Sequence, residues 1–297
     1  MPSSPRRCVH LQAELLEDRI TPTISFTHGS DSFNLGEYPD SLAAGDLGNG
    51  SQDFVVGDQS DGVEIFMNDG SGNFTMSGTV NPGFGVDGLK LVDLTGNGTL
   101  DLVGFGSGKQ FFVALGNGDG TFQTPIVTNV GQSIQSMDVG DLNGDGKPDL
   151  VLGIGRSVAV FVNNGTASVF GSPTYYFWSQ QPNAVSSAIV IGDFNGDGKP
   201  DLAVADYTGD AIQILLNQGN GTFGTPTQIN NPIQSPTGSL LAGDFNNDGN
   251  LDLVESYVGT NEIGLLLGNG NGTFQPATVV DTRSEAFNQP ASMVAAD

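Results

Sequence analysis

The sequence predicts an all-β chain that folds as a β-propeller of four-stranded antiparallel blades. Three observations lead to this prediction. A short acidic, glycine-rich phrase occurs five times among the 297 residues, and successive copies begin 47 to 52 residues apart. One apolar segment precedes each copy, and two more follow it. A Gly- and Asn-rich turn and a fourth extended stretch complete each unit, and four short strands in roughly 50 residues are the content of one propeller blade.

The segments of each unit are predicted strands in a fixed order. The first are SLAAG, LKLV, SMDVG, AIVIG and SLLAG, and the second are DFVVG, DLVGF, DLVLG, DLAVA and DLVES. The third run has apolar residues at alternate positions, as in Val158, Val160 and Val162, which places one face on a core. The turns that follow, such as GNGDGTF at 116–122, suit hairpins with positive φ. Helices are disfavoured because each interior Gly costs a helix roughly 1 kcal/mol.

Four phenylalanines follow the glycine-rich turns, at Phe74, Phe122, Phe223 and Phe274. They suit either of two roles: wedges between neighbouring blades, or ordinary core residues. We favour the role of ordinary core residues.

The ends of the repeat region leave the blade number open. Five repeats are complete, and SMVAAD at 292–297 resembles the first strand of a sixth. TISFTHGSDSF at 23–33 suits an outer strand that completes a blade begun at the other terminus. Either five blades close with an unusual overlap, or the chain is a fragment of a six- or seven-bladed ring, and we favour the fragment. We assign residues 24–297 to the propeller and residues 1–23 to an N-terminal leader or tail.

The charge of the chain restricts its partners. Asp and Glu number 33 against 9 Lys and Arg, for a formal net charge of −24. A nucleic-acid partner needs clustered basic residues, so we expect none. No apolar run approaches the roughly 20 residues of a membrane span, so we expect no membrane insertion. A single Cys and two His leave little scope for Cys or His metal sites, and the excess of acid indicates a cationic partner.

The acidic phrase itself has the donor pattern of a calcium loop. In DLNGDGKPD, oxygen-bearing side chains occupy the first, third, fifth and ninth positions, and a Gly at the sixth lets the chain turn so that the seventh carbonyl joins them. Hard oxygens, several of them carboxylates, are what Ca²⁺ prefers. The alternative is a set of metal-free turns that merely favour Asp, Asn and Gly. The predicted donors of this loop are Asp141, Asn143, Asp145, the Lys147 carbonyl and Asp149.

The five copies are not equal, and we predict three calcium sites with up to five in all. Two further loops keep the full set: Asp193, Asn195, Asp197, Lys199 and Asp201, and then Asp244, Asn246, Asp248, Asn250 and Asp252. The second loop has weaker donors in the middle, so we expect weaker binding; its residues are Asp93, Thr95, Asn97, Thr99 and Asp101. The first loop is one residue short, and we expect it to bind weakest or not at all; it keeps Asp46, Asn49 and Asp53.

An EF-hand begins similarly but needs a bidentate acid at position twelve and flanking helices. Position twelve is Leu152, Val204 or Gly104 in three copies, and only the last copy has an acid there, Glu255. The flanks are predicted strands. We therefore reject the EF-hand.

The repeated GDxNxDGxxDL, followed by a strand and a G-x-G-T-F turn, resembles the FG-GAP repeat, also called VCBS, of integrin-α-type β-propellers. The resemblance covers about residues 24–297. It implies a calcium ion in the hairpin loop between the first two strands of a blade. It also implies adhesion or ligand binding, since some fungal relatives are lectins and some bacterial ones accompany or form polysaccharide lyases. The leader HLQAELLEDRITPT resembles the LEDR-type leader of some large bacterial surface repeat proteins; the alternative is a disordered or short helical tail.

The predicted function is that of an extracellular, calcium-stabilised scaffold for a glycan or protein partner. Extracellular modules bind calcium at roughly 10⁻⁴ to 10⁻³ M, a level found outside cells, so we expect a secreted or cell-surface protein. The candidate ligand patch is the aromatic run Tyr175, Tyr176, Phe177 and Trp178, because aromatic rings stack on sugars or anchor protein contacts. The alternative, which we favour, is an outer strand whose alternate rings pack inward.

Two other functions stay open. The first is an enzyme, a polysaccharide lyase or hydrolase on the same fold. We disfavour it because the basic residues are scattered and no G-x-S-x-G nucleophile motif is present. The second is a purely architectural repeat region of a surface protein.

Overall fold

The computed structural model describes residues 39–281, except 61, 107, 166–168, 180, 182, 209–210, 231, 234 and 261, together with residue 293. The predicted leader at 1–23, the predicted strand at 23–33 and, apart from Met293, the predicted sixth lead-in at 292–297 lie outside these residues. The described residues form strands and turns without a helix. Accordingly, no helix among them is long and apolar enough to span a bilayer.

Twenty strands form five sheets, each a meander of four consecutive antiparallel strands. The first sheet holds β1 (Pro39–Gly45), β2 (Asp53–Asp58), β3 (Gly62–Asn68) and β4 (Phe74–Val80). The second holds β5 (Gly88–Val92), β6 (Asp101–Phe105), β7 (Gln110–Ala114) and β8 (Ile126–Asn129). The third holds β9 (Ser136–Gly140), β10 (Asp149–Ile154), β11 (Ser157–Phe161) and β12 (Thr174–Phe177). The fourth holds β13 (Ser186–Gly192), β14 (Asp201–Asp206), β15 (Ala211–Leu215) and β16 (Thr227–Asn230). The fifth holds β17 (Thr237–Gly243), β18 (Asp252–Tyr257), β19 (Glu262–Leu266) and β20 (Thr278–Asp281).

The all-β prediction of four-stranded blades is confirmed. Each predicted apolar run forms a strand of its sheet, in the predicted order. The first strands of successive sheets contact one another, β1 with β5, β5 with β9, β9 with β13 and β13 with β17. The sheets are therefore arranged as consecutive propeller blades with the first strands innermost. In the part of the chain that the structure describes, the five blades do not close into a ring.

The second strand of each blade is apolar at consecutive positions because both of its faces are covered. In β14, Leu202 and Val204 pack toward the third blade, whereas Ala203 and Ala205 pack toward the fifth. All six residues of β14 are buried. A strand covered on both faces has a continuous apolar run instead of strict alternation. The outer strand β16 is largely exposed and more polar.

Three of the four phenylalanines after the glycine-rich turns lie between neighbouring blades, so the wedge role, which we did not favour, is the correct one for them. Phe122, Phe223 and Phe274 each pack in a cluster that contains residues of the preceding blade. Phe274 of the fifth blade, for example, meets Phe194 of the fourth edge-on, at 5.8 Å between ring centroids. Phe74 packs within the first blade against Phe54.

Backbone hydrogen bonds also join the blades. The glycine-rich turn of one blade donates an N–H to the second residue of the acidic loop in the blade before it: Gly221 to the Leu142 carbonyl at 3.0 Å, and Gly272 to the Phe194 carbonyl at 2.8 Å. Gly221 has a φ of 71°, which favours glycine because other residues are strained there. The spacing between blades is therefore set at the acidic loops.

One buried carboxylate connects three blades near their inner strands. Asp138 on β9 accepts hydrogen bonds from the Lys90 ammonium of the second blade and from the Ile191 N–H of the fourth, the latter at 2.8 Å. Asp138 is 8% exposed. This contact adds an ionic tie to the apolar packing between blades.

We predict that Phe112→Ala lowers the free energy of unfolding by about 3 to 5 kcal/mol. Phe112 is fully buried between the first two blades, so truncation leaves a cavity there. Urea denaturation measures the change. Met76→Ala is the matched control, because Met76 is 47% exposed on the outer strand β4, and its effect should stay within about 0.5 kcal/mol. Equal effects of the two variants would contradict the packing described.

Candidate functional site

The acidic phrases form the loops between the first and second strands of the five blades. The loop at 141–148 joins β9 to β10, and the other four occupy the same place in their sheets. Since the blades are consecutive, the loops lie at equivalent positions. This is the location that the family resemblance implied.

The last residue of each acidic phrase, the ninth in the four full-length copies and the eighth in the first, is a buried clamp. Asp149 is fully buried, and its Oδ2 accepts the Leu142 N–H at 3.0 Å while its Oδ1 accepts the Asn163 N–H at 2.8 Å. One oxygen thus holds the acidic loop and the other holds the end of the third strand. The same pair of bonds occurs at Asp53, Asp101, Asp201 and Asp252.

This clamp was missed in the sequence, where the ninth aspartate was predicted only as a metal donor. A signal was available. The shortened first loop, which lacks a full donor set, still ends in Asp53. A residue that persists where the metal ligands do not has a structural role of its own.

The first residue of each loop organises the turn. Asp141 accepts backbone N–H groups from Gly144 and Asp145 at its Oδ1 and from Gly146 at its Oδ2, at 2.8 to 3.2 Å. In the short first loop, Asp46 accepts N–H groups from three residues in the same way. These hydrogen bonds lower the pKa of Asp46, so its carboxylate stays ionised.

The third and fifth residues complete a chain of side-chain to backbone bonds. Asn143 Oδ1 accepts the Asp145 N–H at 2.8 Å, and Asp145 Oδ1 accepts the Lys147 N–H at 2.9 Å. The Lys147 ammonium also lies 3.2 Å from Asp145 Oδ2, with both side chains about 40% exposed. This ion pair was not anticipated, since Lys147 was predicted to act only through its carbonyl. The fourth loop repeats it between Lys199 and Asp197.

The acids of the third and fourth loops are close enough to repel one another. Burial raises the pKa of Asp149, and the negative charges of Asp145 and Asp141 raise it further. The same causes raise the pKa of Asp201 to about 6, with Asp197 and Asp193 as the neighbouring charges. In the second loop, burial raises the pKa of Asp101, with a smaller effect from Asp93. A cation among these groups would offset the repulsion.

The donor chemistry of the full loops fits calcium, although the side chains as placed do not form a finished metal cage. The full loops offer only carboxylate, amide and carbonyl oxygens, which calcium prefers. However, no group of three or more His, Cys, Asp or Glu side chains in the described ranges is gathered closely enough to hold a metal. Asp145 and Asp197 pair with lysines instead, so binding would exchange these exposed ion pairs for the ion.

The first and last loops differ from this pattern. In the first loop, Asn49 Nδ2 donates to Asp53 Oδ1 and to the Asn68 carbonyl, both at 3.0 Å. A side-chain amide therefore already faces the buried carboxylate, in line with the weak binding expected there. In the last loop, Asn250 takes the place of lysine beside Asp248.

Glu255, the single acid at position twelve of an acidic loop, makes its hydrogen bonds outside that loop. Glu255 lies in β18, 1% exposed, and its oxygens accept hydrogen bonds from Thr237 and Tyr257 at 2.8 Å each. Burial raises the pKa of Glu255. Its place in a strand, away from any helix, agrees with the rejection of an EF-hand.

The aromatic run forms the outer strand of the third blade, and its alternate rings pack inward. Tyr176 meets Phe223 of the fourth blade edge-on at 5.3 Å, and its hydroxyl donates to the Gly221 carbonyl at 3.3 Å. Trp178 is 2% exposed, whereas Tyr175 and Phe177 are 44% and 59% exposed. The favoured interpretation, an outer strand with alternate rings packed inward, is confirmed, and the two outward rings, Tyr175 and Phe177, are exposed.

A groove of about 740 Å³ lies between the outer parts of the third and fourth blades; we name it the 3–4 groove. The third blade contributes Phe177 and Trp178, and the fourth contributes Gln213, Gln228 and Thr225. Gln213 and Gln228 are directly paired across β15 and β16. The glutamines were missed because they lie more than 30 residues from the aromatic run and come beside it only when the blades pack.

The indole of Trp178 is the unusual feature of the 3–4 groove. Its Nε1 is buried and has no hydrogen-bond partner within the residues that the structure describes. A buried donor left without a partner costs about 1 to 3 kcal/mol. Trp178 lines the groove, but this nitrogen itself is enclosed, so a ligand oxygen would reach it only after the indole or its neighbours shift.

A family model described as FG-GAP-like repeat matches the chain four times, at residues 47–104, 93–152, 141–204 and 193–255. Together the matches span residues 47–255, more than half of the chain. No curated protein gives a significant match.

This chain resembles a number of solved structures, among them a lectin and Raptor. A lectin of Agrocybe aegerita, described as specifically recognising non-reducing terminal N-acetylglucosamine, is 26% identical with a TM-score of 0.59, over 81% of this chain and 66% of the lectin. Raptor of Chaetomium thermophilum is 11% identical with a TM-score of 0.56, over 84% of this chain and 21% of Raptor, a likeness of fold alone. The chain spans less than two thirds of the length of either protein.

We predict that Asp201→Ala, measured by denaturation in EDTA, lowers the free energy of unfolding by about 2 to 4 kcal/mol, because the Phe194 and Asn217 N–H groups lose their acceptor. Asp201→Asn should have an intermediate effect, since it keeps one acceptor and removes a buried charge. Asp119→Ala, at an exposed turn, is the control and should change stability by about 0.5 kcal/mol or less. A loss at Asp201 no larger than at Asp119 would exclude the clamp.

Proposed function

Since the chain belongs to the FG-GAP-like repeat family, we propose that it is a calcium-stabilised β-propeller scaffold that binds a glycan outside the cell, in adhesion or ligand binding. The observation that carries the binding function is the 3–4 groove, where the exposed ring of Phe177 lies beside the amides of Gln213 and Gln228. Trp178 also lines this groove, and its buried Nε1 has no partner among the described residues. Calcium has a structural role in this proposal and does not touch the ligand.

The loops at 141–149, 193–201 and 244–252 supply the strongest support for calcium. Their donors are hard oxygens, and their first and fifth residues are reachable from solvent. Asp141, Asp145, Asp149 and their counterparts would hold the ion. Bound calcium would supply the positive charge that ionised Asp149 and Asp201 lack, and an ion that binds only the folded state stabilises it by mass action.

The extracellular location follows from calcium availability. Modules with loops of this kind bind at roughly 10⁻⁴ to 10⁻³ M, so they fill outside cells and stay largely empty in the cytosol. The net charge of −24 makes the folded chain dependent on counterions, because self-repulsion opposes compaction. A secreted or cell-surface location would supply both the calcium and the counterions.

The 3–4 groove has the lining that a sugar requires. Phe177 offers an exposed ring for the C–H face of a sugar, and the amides of Gln213 and Gln228 can each donate and accept hydrogen bonds with hydroxyls. The Agrocybe aegerita lectin, which resembles 81% of this chain, is described as recognising non-reducing terminal N-acetylglucosamine. The acidic surface disfavours anionic ligands, so a neutral glycan is the best match.

We predict that calcium raises the thermal unfolding midpoint relative to EDTA, with the rise saturating in the millimolar range, and that native mass spectrometry detects three to five bound ions. Asp145→Ala and Asp197→Ala should each remove one ion, because each breaks a full loop. Asp119→Ala should remove none. An unchanged midpoint together with no bound ion would leave the loops as metal-free turns.

We predict that Trp178→Phe weakens binding of N-acetylglucosamine about 3- to 10-fold in isothermal titration calorimetry, the value of one hydrogen bond. Unfolding of the free protein should be somewhat easier, by about 1 to 2 kcal/mol, because the smaller ring leaves a cavity at this buried position, while loss of the unpartnered donor offsets part of that cost. Met76→Ala should bind as the parent does. Undiminished affinity in Trp178→Phe would count against the 3–4 groove as the glycan site. Binding of a protein partner, with no glycan bound, would favour the alternative in which the ligand is a protein.

A further inference from the structure

A second groove, of about 470 Å³, lies between the outer parts of the second and third blades; we name it the 2–3 groove. The second blade contributes Thr128 and Asn129, and the third contributes Phe170, Pro173 and Tyr175. Its lining resembles that of the 3–4 groove in combining aromatic rings with amide and hydroxyl groups. The two grooves therefore offer the same kinds of contact.

The two grooves share one wall, the outer strand β12. This strand is the edge of the third sheet. Tyr175 lines the 2–3 groove, whereas Phe177 and Trp178 line the 3–4 groove. Because a strand rises about 3.3 Å per residue, Tyr175 and Phe177 lie about 7 Å apart along it. A ligand in contact with both grooves must be longer than one sugar ring.

The exposed rings of β12 bridge the interval between the grooves. Alternation places Tyr175 and Phe177 on the same side of the strand, and they are the two most exposed rings of the aromatic run. We call this pair the aromatic ledge. The Arg156 guanidinium lies 5.3 Å from the centre of the Phe177 ring, so it covers part of one face of that ring and leaves the other face for stacking.

We propose that β12 and its two flanking grooves form one extended binding site for a neutral, linear oligosaccharide, with Tyr175 and Phe177 as a stacking ledge between two sugar subsites. The proposal rests on the proposed glycan function. It specifies that the ligand is an internal stretch of a sugar chain, in addition to a terminal sugar. Stacking suits pyranose rings, and amides at both ends suit hydroxyls. The high acidity of the protein selects against anionic chains.

The test is calorimetric titration of the full chain in calcium with N-acetylglucosamine and its β-1,4-linked oligomers of two to six units. The expected affinity rises about tenfold or more along this series, because each further stacked ring adds contact. It levels off once the oligomer is long enough to contact both grooves. Tyr175→Ala should abolish most of this gain while the monosaccharide, held in the 3–4 groove, binds with unchanged affinity. Met76→Ala, an exposed apolar side chain on another outer strand, should change neither value.

Four outcomes would overturn the extended site. The first is equal affinity for the monosaccharide and the hexasaccharide, which leaves a single subsite and keeps the proposed function intact. The second is an equal loss for both ligands in Tyr175→Ala, which makes Tyr175 part of one site. The third is tighter binding of hexagalacturonate, an anionic chain, than of the neutral hexamer. Binding of no sugar of any length, with an extended peptide captured instead, would overturn the proposed glycan function as well.

Discussion

The buried aspartate that ends each acidic loop is the interaction on which this fold depends. Its two carboxylate oxygens accept one backbone N–H from the loop and one from the end of the third strand, as Asp149 does with Leu142 and Asn163. Three of the four strands of a blade are thus fixed by a single side chain. Burying this carboxylate is unfavourable, as the raised pKa of Asp201 indicates, and the hydrogen bonds, with calcium in our proposal, offset that cost.

The same loops determine how the blades meet. The second residue of a loop gives its N–H to the clamp and its carbonyl to the glycine-rich turn of the following blade, as Leu142 does with Asp149 and Gly221. Tyr176 contacts Gly221 from the other side. The clamp, the glycine turn and the aromatic strand therefore form one connected set of contacts, and the shape of the 3–4 groove follows from the spacing that this set imposes.

Much of the fold could be predicted because it repeats. The five phrases, the alternating third runs and the glycine turns specify the first three strands of every blade and the place of the loops, whereas the weaker fourth strands were expected without exact positions. The clamp at Asp149 could not be derived from donor spacing, since a calcium ligand and a backbone acceptor require the same residue. The 3–4 groove was beyond prediction because Gln213 and Trp178 become neighbours only through packing of two blades. Of the aromatic run, alternation correctly placed Tyr176 and Trp178 inside.

We infer that the clamp orders the loops before any ion binds, and amide hydrogen exchange tests this most directly. NMR measurement in EDTA would follow the backbone N–H groups of Phe194 and Asn217, which donate to Asp201. Protection close to that of the central strands β14 and β15, before calcium is added, is the predicted result. Exchange as fast as at the exposed turn around Asp119, with protection appearing only on addition of calcium, would contradict it and make the ion the primary organiser of the loop.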